Sequence, residues 1–162
     1  SSLFSAQLAA HMGLPYAFAS HFAPRLLQPA LQLYRELFRP SAVLHKPYVM
    51  IGVPVIAAPT DEEAEYLASS TYQRVLGILT GQRGLLRPPV EGFLQGLPAP
   101  ERAAIGDFLA MGVVGGPDTV RAGLQALARD TRADEFMLVS DVFDPALRLR
   151  SLTLTAQATI AG

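Results

Sequence analysis

Apolar positions along this chain alternate between two rhythms: short uninterrupted runs, and longer stretches where they recur every three or four residues. An uninterrupted run fits a strand covered on both faces, and the longer spacing fits a helix with one apolar side. Ser5–Met12 reads as a helix of Ala and Leu, with Ser2 or Ser5 to cap its start and Gly13 to stop it. Leu14–Ser20 follows as a short, aromatic-containing run, the profile of a buried strand. Pro24 and Pro29 permit helix starts, and Pro29–Phe38 continues as a helix that Pro40 ends. Leu27, Ala30, Leu31, Tyr34, Leu37 and Phe38 give it one apolar face. Tyr48–Ala57 is the strongest strand, apolar throughout. Pro54 inside it has no N–H for a ladder, which predicts a bulge or a point where hydrogen bonding changes partner.

Thr60 then caps the acidic turn Asp61-Glu62-Glu63, a sequence suited to the positive end of a helix dipole, and the helix runs to Leu79. Gly81–Pro100 is dense in Gly and Pro and reads as a long irregular loop, either a hinged lid or an inert surface excursion. Pro100–Met111 is a short helix, and Gly115-Gly116-Pro117-Asp118 turns into another over Pro117–Asp130. Asp134–Ser140 is a third apolar strand. The last helix starts at Pro145 and runs to about Ala158, with Leu147, Leu149, Leu152 and Leu154 as its apolar set. Strands separated by helices indicate an α/β fold with parallel βαβ units. Three such strands make a poor stand-alone core, so a larger sheet is expected.

Composition narrows the chemistry. Thirteen Lys plus Arg against fourteen Asp plus Glu leave a net charge of −1 over 162 residues, which gives no footprint for nucleic acid and no polybasic membrane patch. The absence of cysteine excludes disulfides, thiolate zinc sites and thiol nucleophiles. His11, His21 and His45 are too scattered for a metal-ligand motif, and no metal is expected. A mean hydropathy of +0.27 excludes disorder and points to burial against more protein than the chain contains. No run approaches the roughly eighteen apolar residues of a membrane span, and the start lacks a secretory pattern, so the expected location is the cytoplasm. The sequence opens on Ser1-Ser2 without an initiator methionine, and a piece of a longer protein is expected.

Four segments, in order, carry a family resemblance. The run from Ser1 to Pro24, SSLFSAQLAAHMGLPYAFASHFAP, resembles the centre of bacterial luciferase-like flavin monooxygenases, more narrowly the luciferase-family class oxidoreductases. Tyr48 to Asp61, the VVGGPDTV run at 113–120, and Asp134 to Ser140 resemble later landmarks of the same family. The resemblance implies the C-terminal half of a (β/α)8 TIM barrel: the end of strand five, then strands six to eight with their helices. It implies reduced FMN, or in relatives the deazaflavin F420, bound at the C-terminal mouth, with dioxygen and a small organic substrate. A flavin reductase is an implied partner. The N-terminal half of the barrel, or a homodimer or larger assembly, would cover the open sheet. The 162 residues alone are expected to be inactive. Two other readings stay open: a non-catalytic flavin-binding relative, and a self-associating half-barrel without cofactor.

By the same resemblance, Ser1, Ser2, Ser5 and Ser20 are the candidate cofactor-binding residues, the first three offering hydroxyls at a helix N-terminus to the flavin phosphate. The structural reading of these serines is a helix cap. His21 is the candidate catalytic residue, because imidazole can donate to a flavin oxygen or accept a proton; a hydrogen-bonded loop histidine is the structural reading. In such enzymes the flavin carries the oxygen chemistry, so no triad of side chains is required. Asp141 is a candidate pocket residue, Asp144 reads as a helix cap, and Arg25 as a solvated helix-start cation. Asp61-Glu62-Glu63 read as dipole-stabilised acids, and Gly115-Gly116 as a turn.

Overall fold

The computed structural model describes residues 2–160. The chain runs α1 (Leu3–Met12), β1 (Tyr16–Phe18), a 3₁₀ turn (Pro24–Leu26), α2 (Leu27–Leu37), β2 (Val49–Ala57), α3 (Asp61–Leu79), α4 (Ala99–Phe108), β3 (Val113–Gly115), α5 (Pro117–Thr131), β4 (Glu135–Val139) and α6 (Pro145–Ile160). The α/β reading holds, with four strands where three were expected. The missed one, β3, is three residues long and sits directly ahead of the Gly-Gly turn, too short to show a period.

Every strand pair is parallel, and β2 is the hub. It pairs with β1 at 49–51, with β4 at 50–54 and with β3 at 55–57. Alternate residues of a strand bond to opposite neighbours. Even-numbered groups of β2 and its flanks serve one edge: Tyr48 O accepts from Tyr16 N, Gly52 O from Ser20 Oγ, and Ala58 N donates to Gly115 O. Odd-numbered groups serve the other, where Val49 exchanges bonds with Asp134 and Ala57 N donates to Ser151 Oγ of α6. Pro54 falls on the first edge, after β1 has left and before β3 arrives. Its missing N–H therefore costs no ladder bond, and the change of partner expected at this proline is what the register contains.

The register also divides the side chains between two faces. Tyr16, Phe18, Val49, Ile51, Val53, Val55, Phe136 and Leu138 form one, packed against α1, α2, α5 and α6 in the main core. The other face carries Ala17, Met50, Gly52, Pro54, Ile56, Met137 and Val139. At its C-terminal end Ile56 and Val114 are covered by α3 and α4 in a second core. Lower down, Ala17 is exposed and Met137 is 55% accessible.

Tyr34 ties this arrangement together. Its ring stacks on Tyr16 at 5.2 Å, and its hydroxyl donates to Leu14 O at 2.8 Å and accepts from Tyr48 N at 3.1 Å, joining the entries to β1 and β2. Burial pushes its phenol above the usual tyrosine range. The final helix meets expectation in part: Leu147 and Leu154 pack against the cores. Leu149 and Leu152 are 68% and 41% exposed, and α6 instead buries Ser151, Thr155 and Ala158, a small-residue stripe that lets its backbone approach the sheet. Among the described residues no helix is long and apolar enough to cross a membrane.

Candidate functional site

In an all-parallel sheet the strand C-termini gather their loops at one end, where sites are built from residues far apart in sequence. Here that end carries Ser20-His21 after β1, Thr60-Asp61 after β2, Gly115-Gly116 after β3 and Asp141 after β4.

His21 stands over the open face. A Cβ added at Gly52 would lie 2.4 Å from His21 Nδ1, so the imidazole occupies the space that any larger residue at 52 would fill. The ring packs on Phe22 at a centroid distance of 4.1 Å. Its Nδ1 is buried and has no hydrogen-bond partner among the described residues. A buried imidazole nitrogen without a partner is costly unless something absent from the chain supplies the bond. Ser20 positions it: the residue is fully buried, and its hydroxyl donates to Gly52 O, fastening the loop after β1 to β2. The Ser20 hydroxyl is thus engaged by the backbone of β2.

The serines at the start of α1 form a capping box. Ser2 Oγ accepts from Ser5 N at 3.1 Å, and Ser5 Oγ donates to Ser2 O at 2.9 Å. Tyr16 Oη also donates to Ser2 O, at 3.2 Å. Both hydroxyls are thus engaged locally, and what this end of α1 has left for an anion is the positive end of the helix dipole. Ser1 lies outside the described residues.

The remaining candidates separate cleanly. Asp141 is held by the Arg74 guanidinium of α3, and its carbonyl accepts from Thr71 Oγ1, so it latches α3 to the end of β4. Asp144 caps α6, accepting from Ala146 N and Leu147 N. Arg25 pairs with Asp107 of α4 on the surface. His11 and His45 are exposed and away from these groups. No three His, Asp or Glu side chains converge as a metal-ligand set among the described residues.

Asp61 does more than face a dipole. Its carboxylate accepts from Gly116 N at 2.6 Å and Thr119 Oγ1 at 3.1 Å, bonds that hold it below the usual aspartate range. Gly115 is small because Asp61 and Thr119 press on it: a Cβ there would meet Thr119 Cγ2 at 2.5 Å and Asp61 Oδ1 at 2.7 Å. The Gly-Gly pair is thus a seat for α3, a role local spacing could not reveal because the contact spans 55 residues.

Above the C-terminal part of β2 lies a cavity of about 240 Å³, which Asp141 also lines. Its floor is Pro54, Ile56 and Val139 of the open face, and α3 and α4 roof it. No local sequence signal marks it, since α4 and β2 meet only in the fold.

Comparison with known proteins bears on what such a mouth serves. A family model described as "Luciferase-like monooxygenase" matches residues 1–135. The chain is 47% identical over 156 residues to the uncharacterized protein YvbT of Bacillus subtilis, covering 96% of this chain and 46% of that one. It is 46% identical over 154 residues to a luciferase-like monooxygenase of Escherichia coli, covering 95% and 46%. Among solved structures, apo-MsnO8 superposes with a TM-score of 0.86 at 34% identity, over 100% of this chain and 49% of that chain. The FMN complex of the oxygenating constituent of 3,6-diketocamphane monooxygenase from Pseudomonas putida shares the fold, with a TM-score of 0.61 at 21% identity over 96% and 44%. The chain spans about half the length of the curated relatives it matches.

Proposed function

The chain belongs to the luciferase-like monooxygenase family, and from that premise we propose that it is the C-terminal half of a (β/α)8 barrel whose complete form oxygenates a small organic substrate with reduced flavin and dioxygen. The observation that carries this reading is His21 Nδ1, buried and without a partner above a residue that has no side chain, at the C-terminal end of parallel strands. That is the arrangement expected where a ligand supplies the missing bond. The half-covered sheet supports the barrel: one face is packed by helices along its length, and the other is open as a barrel interior would be before closure.

The residues present fit a flavin. His21 would stand at its polar edge, and Gly52 leaves room for the imidazole there. The start of α1, with Ser1, Ser2 and Ser5, would hold the phosphate through its dipole and first-turn N–H groups. When bound, the reduced flavin would supply two electrons that activate dioxygen, one atom of which would go to the substrate and the other to water. This chain's contribution is to orient the flavin through His21, to keep that histidine in place through Ser20, and to exclude water with α3 and α4, which cover the upper part of the open face. FMN is the flavin proposed, F420 the alternative, and a flavin reductase the electron source. The 162 residues by themselves lack the other half of the mouth and are proposed to be inactive.

The test is a fluorescence titration of the complete protein with FMN and with F420, followed by stopped-flow oxidation of its reduced-flavin complex in air. Saturable binding, with His21→Ala weakening it about tenfold, is the expected result. No binding of either flavin, or reduced-flavin oxidation no different from free flavin, would overturn the reading.

A further inference from the structure

The four strands carry a single charged residue, Glu135, the first residue of β4. It pairs in register with Met50, and strand alternation sets it on the open face with Met137 and Val139. This is the N-terminal end of the sheet, the end away from His21. Its neighbours on that face by register are Ala17, Met50 and Met137, all apolar and none of them fully buried. Tyr48 donates its hydroxyl to Glu135 Oε1 at 2.6 Å. No Lys, Arg or His forms an ion pair with this carboxylate among the described residues. A carboxylate has about four acceptor positions, and the Tyr48 hydroxyl fills one. Water serves the rest while the face is open. Under a cover that excluded water, the same charge would be strongly unfavourable unless a cation joined it.

We infer that the open face is an interface for the other half of a luciferase-like barrel, and that this partner sets a lysine or arginine against Glu135 within an otherwise apolar layer. The inference rests on the half-barrel reading and deepens it from the presence of a cover to the charge that cover carries. Length supports this occupant. The chain spans 46% of the Escherichia coli relative and 49% of apo-MsnO8, so each has enough further chain to supply a cover. A second copy of this chain fits less well. With the strands of both copies running the same way round one barrel axis, its own Glu135 would lie at the same height. Two carboxylates would then share one apolar layer with no cation between them, and like charges shielded from water repel strongly. Glu135 therefore selects among covers: it favours a basic partner and opposes closure by a copy, leaving copies only looser contacts.

Two sets of sedimentation-equilibrium measurements test this, one with a partner and one without. In the first, the chain is combined with the part of the Escherichia coli relative that lies outside the matched stretch. Glu135→Gln should weaken that complex about tenfold, and Glu135→Lys about a hundredfold. Glu91→Gln, in the exposed loop after α3, should leave it within about twofold. In the second, the isolated chain is mixed with its Glu135→Lys variant. The mixture should associate at least about tenfold more tightly than either chain alone. Glu135 is exposed in this chain, so both substitutions leave its own packing intact. A Glu135→Gln complex as tight as the parent's, or a mixture no tighter than its components, would overturn the inference. Absence of any complex with the parent chain would strike the half-barrel reading instead, since the mixture still reports which charge the open face accepts.

Discussion

Two residues carry more of this structure than their types suggest. Gly52 is needed for what it lacks: with a Cβ 2.4 Å from His21 Nδ1, Gly52→Ala must displace the imidazole or the Ser20 bond beneath it. Overpacking of this kind costs about 1–3 kcal/mol. The expected outcome is a lower melting temperature together with moved His21 ring resonances in NMR spectra; an unmoved ring would mean that the site tolerates a methyl group and that His21 is not fixed by contact. Tyr34 is needed for its oxygen. Tyr34→Phe keeps the stack on Tyr16 but strips Leu14 O and Tyr48 N of their shared partner, so chemical denaturation should show a loss of about 1–3 kcal/mol. Tyr34→Leu should cost more, because the stack goes as well. The sequence marked Tyr34 as one apolar position among several; that its hydroxyl joins two strand entries depends on residues 14 and 48, which no helical period connects to it.

At the scale of elements, the joint between α3 and β3 is electrostatic and titratable. Asp61 is stabilised as a carboxylate by Gly116 N and Thr119 Oγ1, so its folded-state titration lies below its unfolded one. A depressed carboxyl contributes stability fully above the unfolded value, and that contribution is lost as pH falls through the folded one. Stability should therefore fall below about pH 4, and Asp61→Asn should be less stable than the parent at pH 7 and closest to it in acid. Equal pH profiles for the two proteins by denaturant titration would refute the joint. The long elements were legible because their patterns are local: α3 and α5 begin and end within one residue of expectation, and β2 within one. What was illegible is what depends on distant partners. β3 is a strand only because β2 extends past β1 to receive it. Leu147 and Leu154 of α6 pack against the two cores as expected, whereas Leu149 and Leu152 point outward and Ser151, whose Oγ takes the Ala57 N–H, faces the sheet. His21 is legible as an imidazole at a strand end, but the room that Gly52 leaves for its ring depends on a residue 31 positions away.

For the whole molecule, some of the exposed apolar side chains fall in groups. Met137 and Ala17 lie on the open face of the sheet, Leu149 and Leu152 on the outer side of α6, and Phe4, Leu8 and Met12 recur every four residues along α1. β1, β3 and β4 each pair with β2 alone, so their outer edges carry no neighbour among the described residues; α1 packs on β1 and α6 on β2. Open edges and apolar patches of this kind promote association. A chain covering about half of its relatives' length exposes them where the other half of a closed barrel would begin. Expressed alone, the 162 residues should run larger than a monomer in light scattering and bind a hydrophobic dye. On the proposed half-barrel reading, co-expression with an N-terminal half of such a barrel should give a one-to-one complex with little dye binding. Met137→Lys separates closure from loose stickiness. A lysine at the centre of the open face should reduce association of the isolated chain, and should also prevent the one-to-one complex, since a closed barrel would bury that charge without a partner. A well-behaved monomer without dye binding would show that the open face needs no cover, and the barrel reading would have to be given up.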